Sequence, residues 1–556
     1  MNIINLIFLT LVEFNWNIYS NKDCAMFPPE DFAMNAPLAL NTTTTNSPDT
    51  VLEVAIIGTG FSGLGMGIRL KQAGIHHFKL FEKGHDVGGT WRDNTYPGCA
   101  CDIKSQLYSY SFEPSARWSH LYANQGEIYQ YIRHCADKYG IYPHIQFNCA
   151  VQGARFDADA GQWQLTLSTG EVVRAKHVVA ATGPFSAPAI PQLTGQARFS
   201  GKIMHTAAWD HSVDLTGKRV ALIGTGASAI QVAPAIVDRV AQLTVYQRTP
   251  NWIMPRPDRA VTAREQQLNQ RVPALMKAAR LGNYWFNEVT APFLVLKYDA
   301  FKSHPEKIAR NYLQRKVKDP VLREKLTPKY KFGCKRVLVS SEWYNTLQKP
   351  NVSLIDGGIE QLTAHGILGK DGVEHPYDVI ILATGYQVRH TGAPFEVIGL
   401  QGASLNEQWR DGAEAFNGIS AQNFPNLYFL VGPFTGPGHT SVIAYAEAQI
   451  DYVLQGIELA KQRHIKYMVV RPEAEAAFVQ QMDRRSEHTV WKSGCANWYL
   501  SPNGRNNTLY PGFNAEYRAR IMRFNPAHYL LVGQDGQPRA ATFADQVQTA
   551  WHSMTV

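Results

Sequence analysis

Two glycine-rich loops carry the residues with the clearest chemistry in this chain. The first, GTGFSG, runs from Gly58 through Gly60 to Gly63, and the second, GTGASA, begins at Gly224 and includes Gly226. Glycine at these positions permits a tight turn and lets the backbone approach a pyrophosphate, which the N-terminus of a following helix stabilises. Each loop therefore predicts a binding site for a dinucleotide.

The residue 24 positions after the first glycine distinguishes the two loops. It is Glu82 in the first unit and Arg248, followed by Thr249, in the second. A carboxylate accepts hydrogen bonds from a ribose diol and repels a phosphate, whereas a guanidinium makes charge-assisted contacts to a 2′-phosphate. This difference assigns FAD to the first unit and NADPH to the second, and two such sites imply electron transfer. That Arg248 is only a surface charge remains an alternative.

The elements around the loops follow the pattern of an α/β fold. Each loop lies between a short apolar strand and a helix-periodic stretch, and a second strand ends just before Glu82 or Arg248, which makes each motif far more specific than glycines alone. Two later strands, 177–183 and 378–385, both run into Ala-Thr-Gly, and 423–433 reads as another buried strand followed by a helix. We therefore predict two Rossmann-type dinucleotide-binding domains, for FAD and NADPH, with a helical insertion.

The domains are expected to be discontinuous, because the late strand and helix return to the first unit. The predicted divisions are 1–50 as a flexible N-terminal tail, 51–193 as the first part of the FAD domain, 194–254 as the first part of the NADPH domain, 255–329 as the helical insertion, 330–385 as the second part of the NADPH domain, and 386–556 as the second part of the FAD domain with a mobile loop.

Composition excludes several other classes of protein. The 556 residues are 45% hydrophobic and carry a net charge of +8 without a Lys/Arg-rich stripe, so we expect a globular enzyme that does not bind nucleic acid. The seven cysteines are scattered and lack metal-site spacing, which indicates no metal centre and a reducing, cytoplasmic compartment. The oligomeric state stays open.

The N-terminus predicts no transmembrane segment. Residues 3–13 are apolar but fall short of the roughly 20 residues that span a bilayer. We expect residues 1–33 to be either dispensable or a misassigned start, so that a chain beginning at Met34 folds and binds its cofactor.

Two further motifs make the chain resemble the type I Baeyer–Villiger monooxygenases, a family of class B flavoprotein monooxygenases. One is GGTWRDNTYPGCACD at residues 88–102. The other lies between the two glycine loops and fits the family fingerprint FxGxxxHxxxW followed by Pro or Asp. Its residues are Phe199, Gly201, His205, Trp209 and Asp210. The similarity runs from about residue 51 to 520.

The resemblance implies that NADPH and O2 convert a ketone to an ester or lactone through a C4a-peroxyflavin, with sulfide oxidation as a side activity. It implies that Arg336 stabilises the anionic peroxide, because arginine stays charged in a partly dry site. Asp102 is the expected partner that holds Arg336, and Lys335 is expected to meet the 2′-phosphate with Arg248. In this family pattern the fingerprint is an interdomain linker, and His205 couples reorientation of the NADPH domain to the flavin.

The resemblance also carries over the remaining cofactor contacts. Those expected around FAD are Gly58, Gly60, Ser62, Gly63, Glu82, Thr90, Trp91, Asp102, Tyr108 and Val151. Those expected around NADPH are Thr225, Gly226, Ser228, Gln231, Arg248, Thr249, Lys335, Arg336 and Trp498, with Ala100 to Asp102 alongside.

Two sequence features bear on the substrate. Lys104 stands where many relatives have an acid, which would change the charge near the mouth of the site. The late motifs GPFTGPGHTS and NWYLSPNGRNNTLYPGF look closest to the branch that oxidises aryl ketones such as 4-hydroxyacetophenone.

Two alternatives to ketone oxidation are an N- or S-oxygenating flavin monooxygenase and a non-oxygenating NADPH-dependent flavin reductase. The reductase would typically need a redox-active cysteine pair.

Overall fold

The computed structural model describes residues 51–388 and 393–541, so the predicted tail at 1–50 lies outside the described residues. The strands, in chain order, are β1 (Leu52–Ile57), β2 (Phe78–Phe81), β3 (Ile145–Gln146), β4 (Val151–Asp157), β5 (Gln162–Leu167), β6 (Val172–Ala180), β7 (Lys202–His205), β8 (Arg219–Ile223), β9 (Gln242–Tyr246), β10 (Ile253–Met254), β11 (Leu338–Val339), β12 (Val352–Ile355), β13 (Ile359–Leu362), β14 (Gly366–Gly369), β15 (Glu374–Pro376), β16 (Val379–Leu382), β17 (Glu396–Ile398), β18 (Leu427–Phe429), β19 (Ile465–Val470), β20 (Tyr529–Gly533) and β21 (Pro538–Arg539).

The α-helices, again in chain order, are α1 (Phe61–Gln72), α2 (Thr90–Asp93), α3 (Gln125–Lys138), α4 (Ala229–Ile236), α5 (Ala263–Arg271), α6 (Pro273–Val295), α7 (Asp299–Lys316), α8 (Pro320–Lys325), α9 (Trp343–Thr346), α10 (Leu405–Gln408), α11 (Val442–Gln462), α12 (Pro472–Ser486) and α13 (Asn514–Ile521). Short 3-10 turns occur at Tyr142–His144, Gln196–Arg198, Leu400–Gly402, Val490–Lys492 and Pro526–His528. No helix in the described ranges is long and apolar enough to span a membrane.

Two large sheets organise the fold. The first has the order β17-β4-β5-β6-β1-β2-β3, with β18 also paired to β6, and the second has the order β12-β9-β8-β16-β7. The second is parallel throughout, whereas β4, β5 and β6 form an antiparallel meander within the first. The strands that flank each glycine loop are buried on both faces, as parallel strands covered by helices must be. The predicted α/β class with two Rossmann-type units is confirmed.

The fingerprint segment corrects the expectation of an interdomain linker. Residues Lys202–His205 form β7, an edge strand that pairs in parallel with β16. An added Cβ at Gly201 would lie 2.4 Å from the carbonyl oxygen of Asp378 and 2.6 Å from the ring of Phe199. Glycine is therefore required here because the strand entry passes directly against another backbone.

The helical stretch predicted at 255–329 contains α5, α6, α7 and α8. Helix α7 packs on β10, next to the second sheet. Helix α6 instead reaches the first unit, because Arg280 donates to the carbonyl oxygens of Gln106, Leu107 and Ser109. The segment thus bridges both units rather than belonging to the second alone, while the exact domain boundaries stay predictions.

Candidate active site

The first glycine loop is built by close backbone contacts. Gly58 has φ +101°, and an added Cβ there would lie 2.7 Å from the carbonyl oxygen of Ala181. An added Cβ at Gly63 would lie 2.0 Å from the Gly58 carbonyl oxygen, whereas at Gly60 it would meet nothing within 4 Å. Two glycines therefore close the turn, and Gly60, directly before α1, leaves open space for a phosphate. Ser62 lies half-buried in the first turn of that helix.

The second loop repeats this construction. Gly224 has φ +117°, and an added Cβ there would lie 2.4 Å from the carbonyl oxygen of Ala383, while Gly226 again faces open space. Ser228 precedes helix α4, and the Thr225 hydroxyl donates to the Thr249 carbonyl oxygen over 3.2 Å. In both units the first glycine passes against an Ala-Thr-Gly strand end, so small residues at those ends allow the chains to cross.

Glu82 lies where the sequence places it, directly after β2, but its carboxylate is already satisfied. It accepts from the Thr59 amide and hydroxyl, from the Gly84 amide, and from Arg92 over 2.9 Å. Burial raises the pKa of Glu82, but these hydrogen bonds and the Arg92 charge outweigh it, so the pKa lies below its usual value. Because a carboxylate offers about four lone-pair positions, a ribose hydroxyl binds here only by replacing one donor, and the rotatable Thr59 hydroxyl is the easiest to displace.

Arg92 is a site residue that the sequence analysis missed. Its guanidinium is buried, with 5% of the side chain exposed against 4% for Glu82. Nothing in the spacing of the glycine motif signals it, because it comes from α2, in the segment GGTWRD between the first loop and Asp102. Its signal in the sequence is its place beside Thr90 and Trp91, both expected around FAD.

Two cations are brought together beside the second loop. Burial and then the charge of Arg248 lower the pKa of Lys335 below its usual value, which places the two side chains within electrostatic range. Arg248 is exposed, and Lys335 lies 5.1 Å from the ring of Tyr330. Within residues 51–388 and 393–541 neither cation forms an ion pair with a carboxylate. An unneutralised pair next to a glycine loop fits a phosphate group.

Asp102 and Arg336 are joined directly, although 234 positions separate them. Asp102 Oδ2 accepts from Arg336 Nη2 over 2.5 Å and from Nε over 3.2 Å. Burial raises the pKa of Asp102, but the charge of Arg336 and its hydrogen bonds overcome this, so the pKa is lowered. The Asp102 charge in turn raises the pKa of Arg336. The pair stays ionised, and 39% of the Arg336 side chain remains exposed for a further contact.

Gln231 ties the second loop to the segment that carries Asp102. Its amide nitrogen donates to the Ala100 carbonyl oxygen over 2.9 Å, and its amide oxygen accepts from the Tyr96 hydroxyl. At Gly98 an added Cβ would lie 2.5 Å from the Gln231 carbonyl oxygen. The acidic residue is therefore positioned by helix α4 of the second unit.

Aromatic residues connect the same segment to the first loop. The Trp91 indole N–H donates to the Tyr108 hydroxyl over 3.1 Å, and Tyr108 packs edge-on against Phe61, the first residue of α1. Thr90 is half-buried at the start of α2, and Val151 is buried at the start of β4. The structure thus brings Trp91 and Tyr108 together, while Val151 lies on a different strand of the first sheet.

His205 ends β7 beside the Ala-Thr-Gly strand end that crosses the second loop. Its Nδ1 accepts from the Ala207 amide over 3.0 Å, and its ring lies edge-on to Tyr386. Burial lowers the pKa of His205, so the ring is neutral near pH 7. Trp209 packs against the main core, and the half-buried Asp210 pairs with Lys202 over 2.6 Å.

The late loop places Trp498 and its neighbour in different environments. Trp498 is 39% exposed and packs 4.4 Å from Tyr499 and 6.5 Å from Phe185. Tyr499 is buried, and burial raises its pKa, which the charge of Arg336 counters. Tyr499 is thus a second residue that the sequence analysis missed. Its proximity to Arg336 depends entirely on how the late loop folds back.

A disulfide departs from the expectation of unpaired cysteines in a reducing compartment. Cys334 and Cys495 are bonded, whereas Cys99, Cys101, Cys135 and Cys149 are free. The bond ties the residue before Lys335 to the late loop, and 161 positions separate the two cysteines. Spacing rules cannot detect such a long-range pair, and cytoplasmic localisation stays a prediction.

Lys104 keeps its positive charge and contacts two uncharged side chains. Its ammonium donates to Asn283 over 3.0 Å and lies 5.8 Å from the ring of Phe286, both on helix α6.

No group of three or more potential metal ligands occurs in the described part of the chain. Two glycine loops on parallel strands, each with its own charged selector, define a protein that binds two dinucleotides and transfers electrons between them.

Comparisons with known proteins assign this class to a family. The flavin-binding monooxygenase-like family model matches residues 52–396. The chain is 42% identical over 500 residues to a Baeyer–Villiger monooxygenase of Pseudomonas aeruginosa, covering 90% of this chain and 95% of the relative. It is 41% identical over 491 residues to one of Streptomyces coelicolor, covering 86% and 93%. The chain therefore belongs to the flavin-binding monooxygenase-like family and, within it, to the Baeyer–Villiger monooxygenases.

A solved structure agrees with this assignment. OTEMO in complex with FAD and NADP superimposes with a TM-score of 0.79 at 28% identity, covering 86% of this chain and 99% of that one. The resemblance found in the sequence is confirmed, and the protein is an FAD- and NADP-dependent monooxygenase.

Proposed function

We propose that this enzyme converts ketones to esters or lactones with NADPH and O2, the Baeyer–Villiger oxidation, and that aryl ketones are among its substrates. The observation that carries the proposal is the ionised, half-buried pair of Arg336 and Asp102 between the two glycine loops. Oxygen insertion next to a carbonyl places negative charge on a reacting oxygen. A fixed guanidinium stabilises that charge without reorganisation during the reaction.

The remaining roles follow from the site. When bound, FAD and NADPH supply the electrons and activate dioxygen. The open space at Gly60 and Gly226 would hold the pyrophosphates, and the cation pair of Arg248 and Lys335 would hold the 2′-phosphate. Asp102 orients Arg336 through two hydrogen bonds that converge on one oxygen. The exposed ring of Trp498 would offer an apolar face to the nicotinamide.

His205 is proposed as a positioning residue. It ends the edge strand β7, and its neutral imidazole lies next to Tyr386 on the Ala-Thr-Gly strand end. From this position His205 would transmit a shift of the second sheet to the Ala-Thr-Gly strand end that passes Gly224. It would not touch a reacting atom.

The proposal is tested by NADPH consumption over a panel of aryl, cyclic and linear ketones, with isotopically labelled dioxygen traced into the product. One labelled oxygen atom in an ester or lactone is the expected result. A thioether added to the panel tests the predicted sulfide oxidation. NADPH oxidation that yields only hydrogen peroxide with every ketone, or labelled sulfoxide without any ester, would contradict ketone oxidation.

Replacing Arg336 separates oxygen insertion from flavin reduction. Arg336→Ala is expected to abolish ester formation, with a loss of at least 10²-fold, because one preorganised donor at a developing charge contributes about that much. Some NADPH-driven bleaching of the flavin should remain. Stopped-flow absorbance measures reduction and product analysis measures insertion, with Arg264→Gln, an exposed arginine on α5, as the control. Ester formation at the wild-type rate would exclude Arg336 from the reaction.

A further inference from the structure

A cleft of about 580 Å³ lies away from the site described above. Its wall is formed by the start of α12, the end of α13 and the loop that follows α13, and none of its lining residues belongs to either glycine loop or to the pair of Asp102 and Arg336. This volume is in the range of small-molecule sites.

Three arginines from separate places in the chain face this cleft. Arg471 precedes α12, Arg520 lies in the last turn of α13, and Arg523 lies just beyond that helix. Across the described residues none of the three forms an ion pair with a carboxylate. Glu473 is the acidic residue in the lining, which leaves an excess of two positive charges.

The neighbouring arginines behave differently. Arg485 on α12 pairs with Glu516 on α13, and Arg505 pairs with Asp483 over 2.8 Å and with Glu414. The arginines beside the cleft are thus paired with carboxylates, whereas the three arginines that face it are not. This contrast is expected if an external anion neutralises them.

The floor of the cleft is aromatic. The guanidinium of Arg520 lies 5.6 Å from the ring of Phe478, which packs on Phe416, and Phe416 in turn packs edge-on against His528. Arg520 donates through Nη2 to Gln481 over 2.6 Å, but its Nε is buried without an acceptor. Burial and the Arg520 charge lower the pKa of His528, so this ring adds a polar contact without charge.

We propose that this cleft binds a small carboxylate carried on an aromatic or alkyl body. The planar forks of the arginines match a carboxylate, and the rings of Phe416 and Phe478 accept the apolar part. The exposed Glu473 disfavours a more highly charged phosphate. The site is separate from ketone oxidation and does not depend on it.

The test is a fluorine NMR titration of the purified, flavin-loaded enzyme with 4-fluorobenzoate, with no ketone or NADPH present. Saturable binding is expected, with an affinity at least tenfold higher than for 4-fluorobenzamide, its neutral isostere. Arg471→Gln and Arg523→Gln, both exposed, should each weaken binding at least fivefold. Arg484→Gln, an exposed arginine on α12 outside the cleft, should leave it unchanged.

Three results overturn the proposal. They are equal binding of the amide and the carboxylate to the wild-type enzyme, equal binding of 4-fluorobenzoate to all four proteins, and displacement of 4-fluorobenzoate by inorganic phosphate at a lower concentration than its own. The amide comparison needs no variant and therefore does not depend on how any variant folds. An unchanged rate of ketone oxidation in Arg523→Gln shows separately that the two sites are independent.

Discussion

Arg248 and Lys335 are two like charges at the edge of the second glycine loop, and they repel each other. Holding two cations together without a carboxylate costs free energy, and the lowered pKa of Lys335 records that cost together with burial. An anion bound between them would remove this repulsion, as the proposed 2′-phosphate contact requires. A 2′-phosphate carries the required charge, and the nicotinamide cofactor without it does not.

Neutralising this pair should therefore change the choice of cofactor. Arg248→Gln with Lys335→Gln is expected to lower kcat/KM for NADPH by about 10²- to 10⁴-fold, because charge-assisted hydrogen bonds contribute about 1.5–3 kcal/mol each. The value for NADH should stay nearly unchanged. Steady-state kinetics with both cofactors measure the ratio, and Arg264→Gln controls for the general loss of positive charge. Equal losses with NADPH and NADH would remove the 2′-phosphate assignment.

At the scale of elements, β7 shows how a short edge strand is held. Four residues, Lys202–His205, pair with β16, and the approach to that strand runs beneath Phe199 and past the carbonyl oxygen of Asp378. Because Asp378 is itself fixed by a bidentate contact from Arg219, the backbone at Gly201 cannot move away. The strand therefore delivers His205 to a definite place.

Adding one methyl group at this approach should be costly. Gly201→Ala is expected to destabilise the protein by about 1–3 kcal/mol, since overpacking against a fixed backbone shifts the strand. The comparison is Gly282→Ala in the middle of α6, where an added Cβ meets nothing within 4 Å and alanine favours the helix by up to about 1 kcal/mol. Thermal unfolding midpoints of the flavin-loaded proteins should move in opposite directions. A Gly201→Ala midpoint equal to the wild type would disprove the steric requirement.

At the scale of the whole molecule, the C-terminal part of the chain closes the first unit. Strand β18 pairs with β6, and α11 packs on α1. Helix α12 joins this assembly through Glu475, which is 2% exposed and accepts from the Gln422 amide. Burial raises the pKa of Glu475 from 4.5 to about 8, so the folded protein holds this carboxyl protonated near neutral pH.

This carboxyl should make stability depend on pH. Above pH 4.5 the unfolded chain loses the proton and the folded protein keeps it up to about pH 8, so the folding free energy weakens by about 1.4 kcal/mol per pH unit across that window. Glu475→Gln keeps an acceptor for Gln422 and removes the titration. Its unfolding midpoint should match the wild type at pH 5 and exceed it at pH 8.5. An equal difference at both pH values would show that the proton is not involved.

Both glycine loops, the contrast between Glu82 and Arg248, and the strands and helices around them can be predicted from the sequence. These depend on short-range properties, namely the periodicity of apolar residues and the need for glycine where the backbone turns or crosses. The family resemblance, drawn from Phe199 to Asp210 and from residues 88–102, was also available at that level.

Which distant side chains meet depends on the packing of the folded chain. Four such contacts cannot be predicted from the periodicity of the sequence. They are the ion pair of Arg92 with Glu82, the proximity of Tyr499 to Arg336, the bond between Cys334 and Cys495 and the bridging position of α6. Each joins segments whose separation is set by long-range packing, so local spacing carries no information about it. The same holds for the cleft, whose three arginines become neighbours only when α12 and α13 pack together.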